Sequence, residues 1–264
     1  MSTSFQGEEE QWIEADGNGN VAEQEEDMLS SLFADPDPTD VFFFEFGSNI
    51  KIPLRGMKAE NGQTLHSTGL TLWRASHLLC NYLVSHTKEI VENKTILELG
   101  AGLGLCGILA HKLGTRSVVL TDGDTDTLAE MRHNVLINTN QTTEIQDGSK
   151  ISTITCRQLR WGRNVDTFFE QQKQVQTAIN ERWNGYDIIM GSDIIYVEEI
   201  IEPLFQTVVT LLGKDGKFLL AYARRNVSID LVFACAQRHD LTWTVNCPDN
   251  NGEGIFIFER RLSL

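Results

Sequence analysis

The chain is poor in cysteine and proline, has no long apolar run, and carries no basic side chain in its first 40 residues. Its five cysteines, Cys80, Cys106, Cys156, Cys235 and Cys247, are widely scattered and form no C-x-x-C pair. Zinc-ribbon and thioredoxin-type motifs are thereby unsupported. The odd count, without a signal-type leader, leads us to expect reduced thiols in the cytoplasm, or alternatively the nucleus. No apolar stretch approaches the roughly 18 residues of a membrane span, so no membrane partner is expected. His77, His86, His111 and His133 fall within helical patterns and lack H-x-x-x-H spacing, so no metal is expected. His66 reads as a surface-loop histidine.

What is present is unevenly distributed. Residues 1–40 hold twelve acids and no Lys or Arg, out of a net charge of −15; the remainder carries 25 acids against 22 bases, a net of −3. The acidity belongs to the tail, and nothing suggests a broad basic surface for nucleic acid. Residues 1–40 are too polar to offset their ordering entropy and are expected to be a disordered acidic tail, with docking to a basic partner as the sharper alternative. Residues 41–264 hold ordinary globular composition and are expected to be one domain. A monomer is the default expectation.

Residues 41–46 and 49–54 read as strands of a small N-terminal β element, and Asn61-Gly62 signals a turn. A helix is expected over 70–84. Strand signals at 95–99, 117–121, 151–159, 186–191 and 217–223 then alternate with helix signals at 104–113, 124–138, 165–182 and 197–212. This alternation predicts an α/β fold, a doubly wound Rossmann-like, mostly parallel sheet with helices on both faces. After a helix at 227–238, the β-rich runs 241–245 and 254–260 predict a C-terminal antiparallel hairpin, completing seven strands.

Strand 95–99 runs into Gly100-Ala101-Gly102-Leu103-Gly104 and then a helix, a nucleotide-type cofactor turn. Gly102-Leu103-Gly104-Leu105-Cys106-Gly107 matches the dinucleotide G-x-G-x-x-G pattern. Shifted back, Glu98-Leu99-Gly100-Ala101-Gly102-Leu103-Gly104 matches the E-x-G-x-G-x-G pattern of S-adenosylmethionine enzymes. The remaining chain is too short for a second mononucleotide half, which disfavours a dehydrogenase. Ligands of this architecture lie beyond the carboxyl ends of the strands. The first end offers Glu98, Gly100 and Gly102, with Glu98 placed to accept from a cofactor hydroxyl or amine. The second offers Asp122, 24 residues on, as a ribose acceptor, with Asp124 as the cap of the next helix. The third offers Trp161, against an adenine face or in the core. The fourth ends at Ser192-Asp193-Ile194-Ile195-Tyr196, where an acid and a phenol either face the reacting region or serve the next helix as cap and first-turn packing.

The segments Thr68-Gly69-Leu70-Thr71-Leu72-Trp73-Arg74-Ala75-Ser76, Leu97 to Gly104, Leu120-Thr121-Asp122, Asn134-Val135, Leu159-Arg160-Trp161-Gly162 and Ser192 to Tyr196 occur in this order. Together they resemble the class I, seven-strand S-adenosylmethionine-dependent methyltransferases, and within them the family 16 type, which includes many eukaryotic protein-lysine methyltransferases. The resemblance implies that Trp73 borders the cofactor. It also implies that Gly100, Ala101 and Gly102 contact the cofactor through backbone, that Asp122 holds the ribose and that Trp161 serves the adenine region. Ser192 stands where the family often has alanine, and Arg160 where it often has an acid. Asp193 and Tyr196 are implied to line the junction of cofactor and target side chain.

The expected function is transfer of a methyl group from S-adenosylmethionine, leaving S-adenosylhomocysteine, to a protein, most directly to lysine. A methyltransferase for another side chain or a small molecule is the alternative within enzymes. An NAD-dependent oxidoreductase leaves the D-x-x-Y element unexplained, and a non-catalytic partner-binding scaffold leaves the intact site unexplained.

Overall fold

The computed structural model describes residues 39–47, 49–57, 74–139, 152–179, 182–223, 227–246 and 253–261. The expected tail up to residue 38, the Asn61-Gly62 turn, His66, Trp73, Arg224, Arg225 and Cys247 lie outside these residues. Strand β1 (Thr39–Phe46) starts two residues before the sequence pattern does, and it pairs antiparallel with β2 (Ile50–Met57) as a separate two-stranded sheet.

The main sheet contains β3 (Thr95–Leu99), β4 (Ser117–Asp122), β5 (Thr153–Gln158), β6 (Tyr186–Ser192), β7 (Leu212–Tyr222), β8 (Leu241–Asn246) and β9 (Gly254–Arg260). Their order is β5-β4-β3-β6-β7-β9-β8. Strands β3 to β7 pair in parallel, and β9 alone runs antiparallel to both its neighbours. The chain moves outward from β3 through β4 to β5, then crosses to β6 on the other side. The carboxyl end of β3 therefore sits at the switch point, where connections diverge and leave a crevice.

Side-chain alternation builds two cores, one on each face. Ile96, Val118, Leu120, Ile188, Met190, Leu219 and Ile257 enter one, together with helices α1 (Arg74–Ser85), α2 (Leu105–Lys112) and α3 (Thr125–Asn138). Leu97, Leu99, Val119, Ile189, Phe218 and Phe258 enter the other, with α4 (Val165–Ile179), α5 (Ile201–Leu211) and α6 (Ile229–Arg238). Tyr186 and Ile188, two apart, nevertheless join opposite cores, because the register slips by a bulge between them. At this bulge the backbones of Gly185 and Gly213 lie so close that a Cβ on Gly185 would meet Gly213 N at 2.6 Å. This contact pulls Leu212 into pairing with Tyr186, so β7 starts earlier than residue 217 and the preceding helix ends at Leu211.

The β1–β2 hairpin is fastened beside the glycine turn by two buried amides of α3, Asn134 and Asn138, the latter donating to Pro53 O at 2.6 Å. Asn134 on α3 accepts from Arg55 N at 2.7 Å and donates to Arg55 O at 2.9 Å and to Leu103 O at 3.2 Å. The Arg55 guanidinium clasps Glu130 through two bonds of 2.7 and 2.9 Å.

Candidate active site

Four adjacent strand ends, β5, β4, β3 and β6, converge on the crevice. From β3 the chain turns through Gly100, Gly102 and Gly104 at φ of 61°, 54° and 87°, a left-handed run that side chains oppose. The turn is pinned by Ala101 N donating to Thr121 O at 2.9 Å and Gly104 N to Ala101 O at 2.8 Å. Helix α2 opens directly after it, and no side chain caps its first N–H groups. Gly100 admits no side chain: a Cβ there would meet Ile194 Cγ2 at 2.8 Å and Trp161 Cζ2 at 3.3 Å. These contacts set Trp161 and the Asp193–Tyr196 segment against the glycine turn.

Asp122, at the end of β4, accepts from Gly102 N at 3.2 Å and from Asp124 N at 3.1 Å. Burial pushes its carboxyl above the usual range, more than its backbone donors lower it. Asp124 is the N-cap of α3, accepting from Asp126 N at 3.1 Å and Thr127 N at 2.8 Å, as the sequence pattern indicated. The Arg160 side chain reaches the Gly123 carbonyl at 3.4 Å, binding the β5 loop to the β4 loop.

Glu98 stands apart from the other candidates. It is 2% exposed, beneath the turn, and its Oε2 accepts from Gly107 N at 2.8 Å. Burial drives its pKa up to about 8. Its visible role is to join α2 to β3. Around it lies a buried polar group that sequence reasoning passed over. Ser76 Oγ on α1 lies 3.0 Å from Ser192 Oγ, Cys106 Sγ donates to Ser76 O at 3.6 Å, and Cys80 and Cys106 sulfurs are 3.7 Å apart. Ser76 closes the Trp73 motif, so the motif itself was the signal.

Asp193 follows β6 in a left-handed conformation, φ 58°, with its N–H donated to Ala221 O at 3.0 Å. The helical segment after it starts with a 3-10 turn (Glu198–Ile200) capped by Val197, and α5 is capped by Ile200, so Asp193 caps neither. Ile194 and Ile195 bury themselves on the second core, which leaves Tyr196 58% exposed at the crevice. Partial burial, and then the negative charge of Asp122, raise the Tyr196 phenol pKa. The two residues thus share one side of the crevice. Trp161 is half-buried and packs on the same core as Ile194. An open cavity of about 570 Å³ beside the β5 end, lined by Arg160, Arg163, Asn164 and Phe168 among others, includes neither the glycine turn nor Asp193 and is distinct from this crevice.

Residues 55–239 match the family model described as lysine methyltransferase. The N-terminal and lysine N-methyltransferase EFM7 of Yarrowia lipolytica is 26% identical over 217 residues, covering 79% of this chain and 70% of that protein. The protein N-lysine methyltransferase METTL21A of Xenopus tropicalis is 33% identical over 150 residues, covering 57% and 58%. The chain spans about half to seven tenths of the length of the curated relatives it matches. Among solved structures, the T. thermophilus 16S rRNA N2 G1207 methyltransferase, determined with AdoMet and guanosine, aligns with a TM-score of 0.55 at 14% identity, over 86% of this chain and 52% of that one. At that identity the likeness concerns the fold.

Proposed function

The chain belongs to the lysine methyltransferase family, and from that premise we propose that it transfers a methyl group from S-adenosylmethionine to a lysine side chain of a protein. The observation that carries this reading is the placement of Asp193 and Tyr196 on the strand end next to the glycine turn, in a chain whose family acts on lysine.

The cofactor is S-adenosylmethionine, and the crevice has the donor set to hold it. Gly100 and Gly102 carry no side chain, the N-terminus of α2 follows without a side-chain cap, and a carboxylate and an indole flank the turn on the neighbouring strands. In this reading Gly100, Ala101 and Gly102 make backbone contact, Asp122 accepts from the ribose, Trp161 covers the adenine region, and Ser192 borders the site. Glu98 acts from below, by fixing α2. The bound cofactor supplies an electrophilic methyl group on a sulfonium.

What remains for the protein is alignment and control of one proton. A lysine amine attacks only when neutral, and its free pKa is about 10.4. A dry channel next to a cation disfavours the ammonium form. Asp193 orients the entering nitrogen, and Tyr196 accepts from one of its N–H groups, leaving the lone pair free, or presents its π-face to the cation. Asp193 keeps a left-handed backbone, at a cost of about 1 kcal/mol that aspartate tolerates better than most residues. Ala221 O holds it there.

This reading places the protein in the cytoplasm or nucleus, supported by the free thiols of Cys80, Cys106, Cys156 and Cys235. In this reading the segment before β1, residues 1–38, is an acidic tail that docks a basic partner, supported by its eleven acids without Lys or Arg. Deleting residues 1–35 with no change in partner binding or turnover would remove that part. The function itself is tested by adding the protein and methyl-labelled S-adenosylmethionine to a cell extract, then hydrolysing the labelled protein. Methyl-lysine is expected; label confined to nucleic acid, small molecules or another amino acid would refute the lysine assignment.

A further inference from the structure

Cys235 and His239 lie one helical turn apart at the end of α6, so both side chains project from the same face. That face meets the first turn of α5, where Glu202 points back at them. Glu202 Oε1 is 2.8 Å from His239 Nε2, and Cys235 Sγ donates to Glu202 Oε2 at 3.3 Å. The three donor atoms lie within 4.8 Å of one another. We propose that Glu202, Cys235 and His239 form a binding site for a borderline-soft divalent metal ion, zinc above all, that bridges α5 to α6.

The chemistry of the set carries the choice of ion. One thiolate, one imidazole and one carboxylate are zinc or cobalt ligands, whereas magnesium and calcium call for oxygen alone. Around a tetrahedral zinc, with bonds of about 2.0–2.3 Å, donors stand about 3.4–3.6 Å apart. The Glu202 Oε1–His239 Nε2 pair must open by roughly half an ångström, and Cys235 Sγ, which donates to Oε2 without metal, must turn to the ion, both side-chain adjustments. The imidazole plane is already set by stacking on Phe205 at 15°, with ring centres 6.3 Å apart. Binding displaces the Cys235 thiol proton to solvent. Glu202 is exposed at 45%, which gives an entry path and leaves the fourth position to water.

Arg238 is the evident competitor, because its guanidinium donates to Glu202 Oε2 at 2.9 Å. A carboxylate that binds metal through Oε1 keeps Oε2 for Arg238, so the two can coexist. With Gln206, which donates to Oε1 at 3.2 Å, Arg238 holds the carboxylate in place without metal. The Arg238 hydrogen bond keeps Glu202 ionised, with a pKa down at about 2. The site is separate from the crevice, yet α5 follows the Tyr196 segment directly, so the ion would brace the helix behind it.

The test uses the full chain, stripped with a chelator and titrated with zinc against a chromophoric competitor, then with cobalt. One equivalent of zinc is expected, and cobalt should give a thiolate charge-transfer band in the near ultraviolet. Glu202→Gln, Cys235→Ser and His239→Ala should each weaken zinc by about 100-fold or more. Cys235→Ser should also lose the charge-transfer band. Glu202→Gln is a surface change that leaves the fold intact, so the proposal stays testable if Cys235→Ser misfolds. Absence of stoichiometric binding would overturn the proposal, and so would binding that Glu202→Gln and His239→Ala leave unchanged, which would locate the ion elsewhere.

Discussion

Gly107 donates its backbone N–H to Glu98 Oε2 across 2.8 Å, and this bond clamps the first turn of α2 onto strand β3. A Cβ on residue 107 would stand 2.7 Å from that oxygen and 2.7 Å from Leu120 Cγ. Alanine normally favours a helix over glycine by up to about 1 kcal/mol. Here the clash wins. Gly107→Ala should lose about 1–3 kcal/mol of stability, seen as a lower urea midpoint at unchanged slope. A raised midpoint would mean that α2 moves freely off the sheet.

The buried Glu98 carboxyl predicts a pH dependence of known sign. Its folded pKa of about 8 lies above the ordinary 4.5, so the folded state holds the proton more tightly. Stability from this group is full below pH 4.5 and declines as pH rises towards 8, by up to about 4 kcal/mol. Glu98→Gln removes the titration. Its melting temperature relative to wild type should therefore rise between pH 5 and pH 8. A constant difference across that range would show that Glu98 is already ionised in the fold.

Asp122 and Asp124 are two residues apart and should separate cleanly. Asp122→Ala removes a carboxylate from the crevice and should weaken S-adenosylhomocysteine binding about ten- to a hundredfold in calorimetry. Asp124→Ala removes a helix cap and should cost about 1 kcal/mol of stability while leaving that affinity near wild type. The reverse pattern would contradict the assignment of both.

Much of this architecture is legible in the chain. The run Thr-Ile-Leu-Glu-Leu reads as a short buried strand, because the glycines after it read as a turn. Asp124, followed by a polar first turn, announces its helix. The order of the last two strands is harder. The hairpin is evident, but either arm might have joined β7. The burial resolves it: β9, apolar on both faces through Gly254–Phe258, lies inside, while β8, with Thr242 and Thr244 exposed, forms the edge. The start of β7 is hidden because Lys214-Asp215-Gly216 reads as a turn, whereas the close approach of Gly213 and Gly216 to Gly185 and Tyr186 brings it beside β6. Glu98 reads as a cofactor acceptor from its place before the turn, but its strand neighbours Leu97 and Leu99 show how deep it lies. Cys235-x-x-x-His239 escapes a search for paired histidines, and Glu202 comes from another helix, where no spacing rule reaches.

In the proposed function, Asp193 serves methyl transfer rather than cofactor binding or folding. Asparagine at this position keeps the size and the left-handed backbone and removes only the charge. The decisive measurement compares wild type with Asp193→Asn for methyl-lysine formed in an extract and for S-adenosylhomocysteine affinity. A loss of transfer of about a hundredfold or more is expected, with affinity within a few-fold of wild type. Undiminished transfer, or a loss of affinity that accounts for the whole effect, would contradict it.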